Sequence, residues 1–164
     1  MNEIFSRIRR NHGLEHATLN ILATSHPRTS FAGHSDAGGF WILGEINTDE
    51  LDGAAALALE KLSGGQENLA IHNNCGTNLL VSGFSAGLAG AAGMIGAGDR
   101  PRDKLERIPV ITALSVIALM LSKPMGPVVQ KLITTSGKPG SLRITSIRKS
   151  HLNGIPAHRI STQD

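Results

Sequence analysis

Residues 79–98 read LLVSGFSAGLAGAAGMIGAG, twenty positions without a charge. An uncharged run of about twenty is the length a membrane helix needs. Within it Gly83, Gly87 and Ala91 stand four apart, as do Ala86, Gly90 and Met94. That small-xxx-small spacing lets two helices approach closely. A charged loop follows from Asp99 to Arg107, then a second apolar run from Ile108 to Ser122. As a helix the second run spans roughly 22 Å against a bilayer core of about 30 Å. Lys123 would have to snorkel and the apolar stretch resume at Met125, kinked by Pro124 and Pro127. The expectation is an apolar helical hairpin over residues 77–139, embedded in a lipid bilayer. The alternative is a soluble protein that buries two Gly/Ala-rich helices against a sheet, and the near-zero mean hydropathy fits it. Basic residues occur in the loop (Arg100, Arg102, Lys104, Arg107) and beyond the second run (Lys123, Lys131, Lys138), so charge does not set an orientation.

Outward from this run the pattern is that of a small layered domain. Toward the N-terminus, residues 2–24 predict a helix with Ile4, Ile8, Leu19 and Leu22 on one stripe, stopped by Ser25-His26-Pro27. Two short extended runs follow, Thr29–Gly33 and Gly39–Gly44, around a turn at Ser35-Asp36-Ala37-Gly38. Glycines bracket Phe40-Trp41-Ile42, which reads as a packed Trp. A helix starts at Asn47-Thr48-Asp49-Glu50 with Thr48 as cap, carries Leu51, Ala55, Leu59 and Leu62 inward, and ends at Gly64-Gly65. Asn68–His72 reads as a strand. Beyond the hairpin, Leu142–Arg148 alternates as a strand, Asn153-Gly154 marks a turn, and Ile155–Ile160 returns. The fold class is α+β: one domain built from residues 1–76 and 140–164, interrupted by the two-helix insertion.

Composition removes several functions. Sixteen Lys and Arg against thirteen Asp and Glu leave +3, with no basic block, no Tyr and a single Trp, so no nucleic-acid partner is expected. One cysteine, Cys75, rules out an internal disulfide framework and a multi-cysteine zinc finger. The first residues carry charges and lack an apolar core, so no cleavable signal is expected.

The chemistry lies in two segments. His12-Gly13-Leu14-Glu15-His16 is H-x-x-E-H, which on a helix puts two imidazoles one turn apart on one face, within reach of one metal ion. Glu15 is near enough to serve as general base for water at that ion. All three fall on the apolar stripe, where unpartnered polar groups are costly. The second segment, His72-Asn73-Asn74-Cys75-Gly76-Thr77, offers His72 or Cys75 as a third ligand to zinc. Its bland reading is a small buried thiol beside a histidine paired with a carbonyl. His34 reads as part of a solvated turn, and His151 and His158 as surface residues.

These segments carry two resemblances. His12-Gly-Leu-Glu15-His16 with His72-Asn-Asn-Cys75-Gly76-Thr77, followed directly by an apolar Gly-rich helix, resembles uncharacterised bacterial membrane-protein families of unknown function. Those families pair HGxEH with HPxCGT just before a membrane span, and Asn73 stands where Pro is usual. The resemblance extends to Gly39-Phe40-Trp41 and the final hairpin. It implies a membrane protein with a metal site, expected in the bacterial inner membrane with the α+β domain cytoplasmic. More narrowly, H-x-x-E-H is similar to the inverted-zincin motif of pitrilysin-type metallopeptidases. That likeness implies zinc ligands at His12 and His16 and a base at Glu15, but their downstream Glu ligand has no clear equivalent here.

Two functions are expected from these readings. One is a membrane-associated zinc hydrolase of peptidase type. The other is a non-catalytic membrane-anchored subunit, with a structural metal or a buried polar network at the same residues. In that subunit Gly83, Gly87 and Ala91 would dock on a partner helix or a second copy of the chain.

Overall fold

Helix α1, Glu3–Ser25, is the axis of the first unit, because every residue from Gly13 to Leu19 on it is buried. A helix buried all round belongs to the interior of a fold rather than to its edge. The computed structural model describes residues 3–164, and the chain divides into two units. The first comprises residues up to His72 together with Lys131–Asp164; the second is Asn73–Gln130.

In the first unit α1 lies on a four-stranded antiparallel sheet of order β1-β2-β4-β3: β1 Ala32–Asp36, β2 Gly39–Leu43, β3 Arg143–Leu152 and β4 Ile155–Gln163. The fold is α+β. The β1–β2 turn is two residues, Ala37-Gly38, because Asp36 pairs with Gly39. β1 therefore runs later than the Thr29–Gly33 expectation and takes in Ser35 and Asp36. The β3–β4 turn is at Asn153-Gly154, both with positive φ (50° and 81°), the type I′ requirement that Asn-Gly meets. Leu14, Leu22, Phe40, Ile42, Leu51 and Ile160 are the largest fully buried apolar side chains. Trp41 alternates to the other face, where the Arg159 guanidinium lies 5.4 Å over its ring. The packed aromatic is thus Phe40 rather than Trp41.

Helix α2, Thr48–Ser63, covers the core with Leu51, Ala54, Ala55, Ala58 and Leu62. Its cap is Asn47, whose side chain accepts the Asp49 N–H. Thr48 instead places its hydroxyl 3.0 Å from Nε2 of His158, a residue expected at the surface and found buried on the inner sheet face. Glu67–Ala70 is a 3₁₀ turn and not a strand. Its backbone acceptors serve side chains of α1: Asn20 Nδ2 donates to the carbonyls of Leu69 and Ile71, and His16 bonds to that of Ala70.

Two polar contacts tie α1 and the strands. Buried Asn11 donates to the Asp36 carbonyl (2.8 Å) and accepts from the Thr162 hydroxyl (2.7 Å). At the sheet surface Asp36 receives two hydrogen bonds from Arg159 (2.8 and 2.7 Å).

In the second unit α3, Gly76–Gly93, packs on α5, Ile108–Ser122, which is preceded by the short α4, Pro101–Glu106, and followed by α6, Met125–Val129. Pro101–Ser122 is 22 residues long and is, among the described residues, the one helix long and apolar enough to cross a membrane. At 1.5 Å per residue it spans roughly 33 Å. The α4 turn adds the length that Ile108–Ser122 lacks alone. Leu79, Leu80, Phe84 and Leu88 of α3 and Val116, Ile117, Met120 and Leu121 of α5 are exposed. Close approach of α3 to α5 uses Gly90 and Gly93, where a Cβ would meet Ser115 Oγ at 3.2 Å and Ile111 Cγ1 at 3.0 Å. A Cβ at Gly83 or Gly87 would meet nothing within 4 Å, so that stripe faces outward. Ser115 donates to the Ala86 carbonyl, Ser122 to Ser82 Oγ, and Gln130 to Asn78 Oδ1.

Asn11→Ala strands the buried Thr162 hydroxyl and the partly buried Asp36 carbonyl, and chemical denaturation is expected to show a loss of about 1–3 kcal/mol. The Arg159 guanidinium, chiefly by hydrogen bonding, holds the Asp36 carboxyl below its usual value. Its stabilisation is therefore full above the ordinary carboxylate range and is lost as pH falls through the lowered value. Melting curves from pH 7 to 3 are expected to fall less steeply for Asp36→Asn. Because Asp36 is half-exposed, the neutral-pH difference is about 1 kcal/mol or less.

Candidate metal centre

His12, His16 and Asn20 occupy positions i, i+4 and i+8 of α1 and so share one face. The His12 and His16 ring centroids are 4.3 Å apart, edge to face, and the His72 ring centroid is 5.7 Å from that of His16. All three belong to the first unit. His16 is buried; His12 and His72 are partly so.

The hydrogen bonds of these rings fix their chemistry. His12 Nδ1 lies 2.9 Å from the Thr134 carbonyl oxygen, and His16 Nδ1 lies 2.8 Å from that of Ala70. A carbonyl only accepts, so both nitrogens carry the proton. His72 Nδ1 lies 2.7 Å from Asn20 Oδ1. The Asn20 amide is oriented by the two carbonyls its NH₂ group serves, which leaves its oxygen as the acceptor for His72. In the neutral rings the lone pair therefore sits on Nε2 in all three cases. Metal-ligating imidazoles show this arrangement, one nitrogen donating to a carbonyl-type oxygen while the other binds the ion. Burial, with the charge of His16, pushes the His72 pKa below its usual value, which favours the neutral ring.

Glu15 faces the sheet. Its carboxylate accepts the Ser35 hydroxyl on β1. The strand comes so close that a Cβ at Gly33 would lie 2.1 Å from Glu15 Oε1. Burial raises the Glu15 pKa, against the opposing hydrogen bond from Ser35 and the charges of His12 and His34. A raised carboxyl is what a general base near neutral pH requires. Gly13, inside the motif, admits the returning chain: a Cβ there would meet the Ser136 carbonyl oxygen at 2.1 Å. That contact runs beside the Thr134 carbonyl that orients His12.

Cys75 belongs to the second unit, where it is buried and caps α3, its Sγ accepting the Thr77 N–H at 3.4 Å. His34 is exposed on β1 rather than in a turn, and His151 is exposed on β3. Sequence reasoning missed Asn20 and Ser35. Asn20 was legible from its spacing, one turn beyond His16. Ser35, with His34 and Asp36, reads as a polar turn that could border a site but more readily as a solvated one, and its bond to Glu15 depends on strand register.

An α+β unit with three imidazoles held by carbonyl-type acceptors, continuous in chain with an apolar helical unit, is the class of protein these features define. The chain belongs to the family described as "Domain of unknown function (DUF6391)", whose match covers residues 7–147. It is also similar to an uncharacterised protein of Picosynechococcus sp. (strain ATCC 27264 / PCC 7002 / PR-6). The two are 32% identical over 170 aligned positions, covering 96% of this chain and 80% of that one. No solved structure matches the chain.

The tautomers are directly measurable. Long-range ¹⁵N–¹H NMR of metal-free protein at pH 8 is expected to show His12, His16 and His72 as Nδ1–H forms. Asn20→Leu is expected to shift His72 toward a mixture while leaving His12 unchanged. Nε2–H forms in all three rings would contradict this geometry.

Proposed function

We propose that the protein is a membrane-anchored zinc hydrolase of peptidase type, with His12 and His16 as ligands and a third ligand from the His72–Cys75 segment. The observation that carries this reading is the common hydrogen-bonding pattern of three neighbouring imidazoles, each with Nδ1 committed to an oxygen acceptor. Two histidines one turn apart plus a nitrogen or sulfur donor suit zinc. Zinc in such a site lowers the pKa of water and polarises a carbonyl. Glu15, its pKa raised by burial, would be the residue to accept the proton of that water as general base. The outward apolar faces of α3 and α5 support residence in a lipid bilayer. The bilayer is proposed to be the bacterial inner membrane, with the α+β unit cytoplasmic. The outward stripe of Gly83, Gly87 and Ala91 supports docking against a second copy or another membrane helix.

One observation favours a second reading. Ser35 and the Gly33 backbone hold Glu15 against the sheet, as they would a structural carboxylate. In that case the metal or polar network ties α1 to the 3₁₀ turn, and the protein is a membrane-anchored subunit without turnover.

Elemental mass spectrometry on detergent-purified protein is expected to find about one zinc per chain, lost in the His12→Ala/His16→Ala variant. His72→Ala and Cys75→Ala identify the third ligand by which of them releases metal. Glu15→Gln should keep zinc and its melting temperature while abolishing cleavage of a fluorogenic peptide mixture. Unchanged cleavage in Glu15→Gln overturns the mechanism. A large drop in melting temperature instead supports the structural reading, and a folded protein without metal overturns the zinc site and leaves the polar network.

A further inference from the structure

A cavity of about 230 Å³ opens in the first unit between the Glu67–Ile71 turn and the returning segment from Lys131 to Lys138. Three cations line it, Arg9, Lys131 and Lys138, against one acid, Glu67. Glu67 is engaged, its carboxylate 3.8 Å from the Lys138 ammonium. Arg9 donates through Nε and Nη2 to the Thr135 carbonyl and through Nη2 to that of Leu132. Those bonds fix the guanidinium plane and leave its charge without a carboxylate. Lys131 makes no ion pair among the described residues. Gly137 lets the two walls meet, since a Cβ there would lie 2.6 Å from Glu67 Cβ. The cavity thus holds two more positive than negative side chains, and Asn68 adds an amide to its lining.

We infer that this cavity binds a phosphate oxyanion, supplied by the headgroup of an anionic phospholipid. The chemistry follows from the donors. With Arg9 committed to carbonyls, the adjustable cations are lysines, which act as point charges suited to a phosphate rather than as planar forks for a carboxylate. The source follows from the chain: Lys131 comes directly after Gln130, the last residue of the apolar helical unit. Basic residues at the end of a membrane segment lie in the negative potential of anionic lipid. The lipid source rests on the membrane reading proposed above; the oxyanion site rests on the cavity and its charges, and neither depends on zinc.

The test uses the full chain in a neutral detergent and isothermal titration with three probes: short-chain phosphatidylglycerol, short-chain phosphatidylcholine and inorganic phosphate. Saturable binding of phosphatidylglycerol is expected, weakened roughly tenfold or more in Lys131→Gln/Lys138→Gln, with weaker binding at higher salt. Both lysines are exposed, so the double variant should keep its fold and its metal content, checked by circular dichroism and mass spectrometry. Inorganic phosphate binding as tightly as the lipid would keep the oxyanion site and overturn the lipid source. Equal binding of the two lipids, no binding of any probe, or an unchanged double variant overturns the site. Loss of zinc in His12→Ala/His16→Ala with lipid binding intact separates this site from the metal reading.

Discussion

The constraint on which the first unit depends is that α1 buries polar side chains on every side and each must find a partner. Asn11, Glu15, His16 and Thr18 are all buried on one helix, and an unsatisfied polar group there costs about 1–3 kcal/mol. The partners come from the whole unit: Asp36 and Thr162 for Asn11, Ser35 for Glu15, Ala70 for His16 and the helix's own Leu14 carbonyl for Thr18. This explains why the 67–70 segment is a 3₁₀ turn. Its carbonyls are pulled onto α1 side chains instead of a sheet neighbour.

The helices and the terminal hairpin were legible because each carries a local signature. Residues 47–65 hold both a cap and a stop, and Asn153-Gly154 demands a turn that few other pairs make. Periodicity also turned His12, Glu15 and His16 inward, but did not show that they part to different walls, Glu15 to the sheet and the two imidazoles to the carbonyls of Thr134 and Ala70. Errors arose where a long-range partner decides. Ile4 fits the stripe yet is 58% exposed, and Leu14 lies off the expected stripe yet is fully buried. The cause is that α1 is enclosed on several sides from Gly13 onward rather than on one. His158 looked like a surface residue because its burial depends on pairing with β2 and β3, and Trp41 and Phe40 exchanged faces with the register of the same pairing.

The second unit obeys a different rule. Its α3–α5 contact sets small residues and hydroxyls, Gly90, Gly93, Ser82, Ser115 and Ser122, against Ile111 and Leu114, while many of its bulky apolar side chains are exposed. In water that distribution would waste the hydrophobic effect. In lipid it is the expected one, since close packing and interhelical hydrogen bonds hold helices there. α3 contributes glycine and serine to the packing and so has less bulk apolar character than Pro101–Ser122.

The strand order has a consequence in time. β2 pairs with β4, so the sheet that covers α1 is finished only by residues beyond 155, and the carbonyl that orients His12 is at Thr134. During synthesis, at roughly 5–20 residues per second, the whole of residues 73–130 leaves the ribosome before either arrives. α1 emerges first and waits longest, with His12 unoriented although the Ala70 carbonyl for His16 has already emerged. Until then the two ends of the α+β unit are joined only through residues 73–130. Joining them closes a long loop, whose entropy cost grows only slowly with its length, and makes the non-local pairing of β2 with β4 an intrinsically slow step of folding.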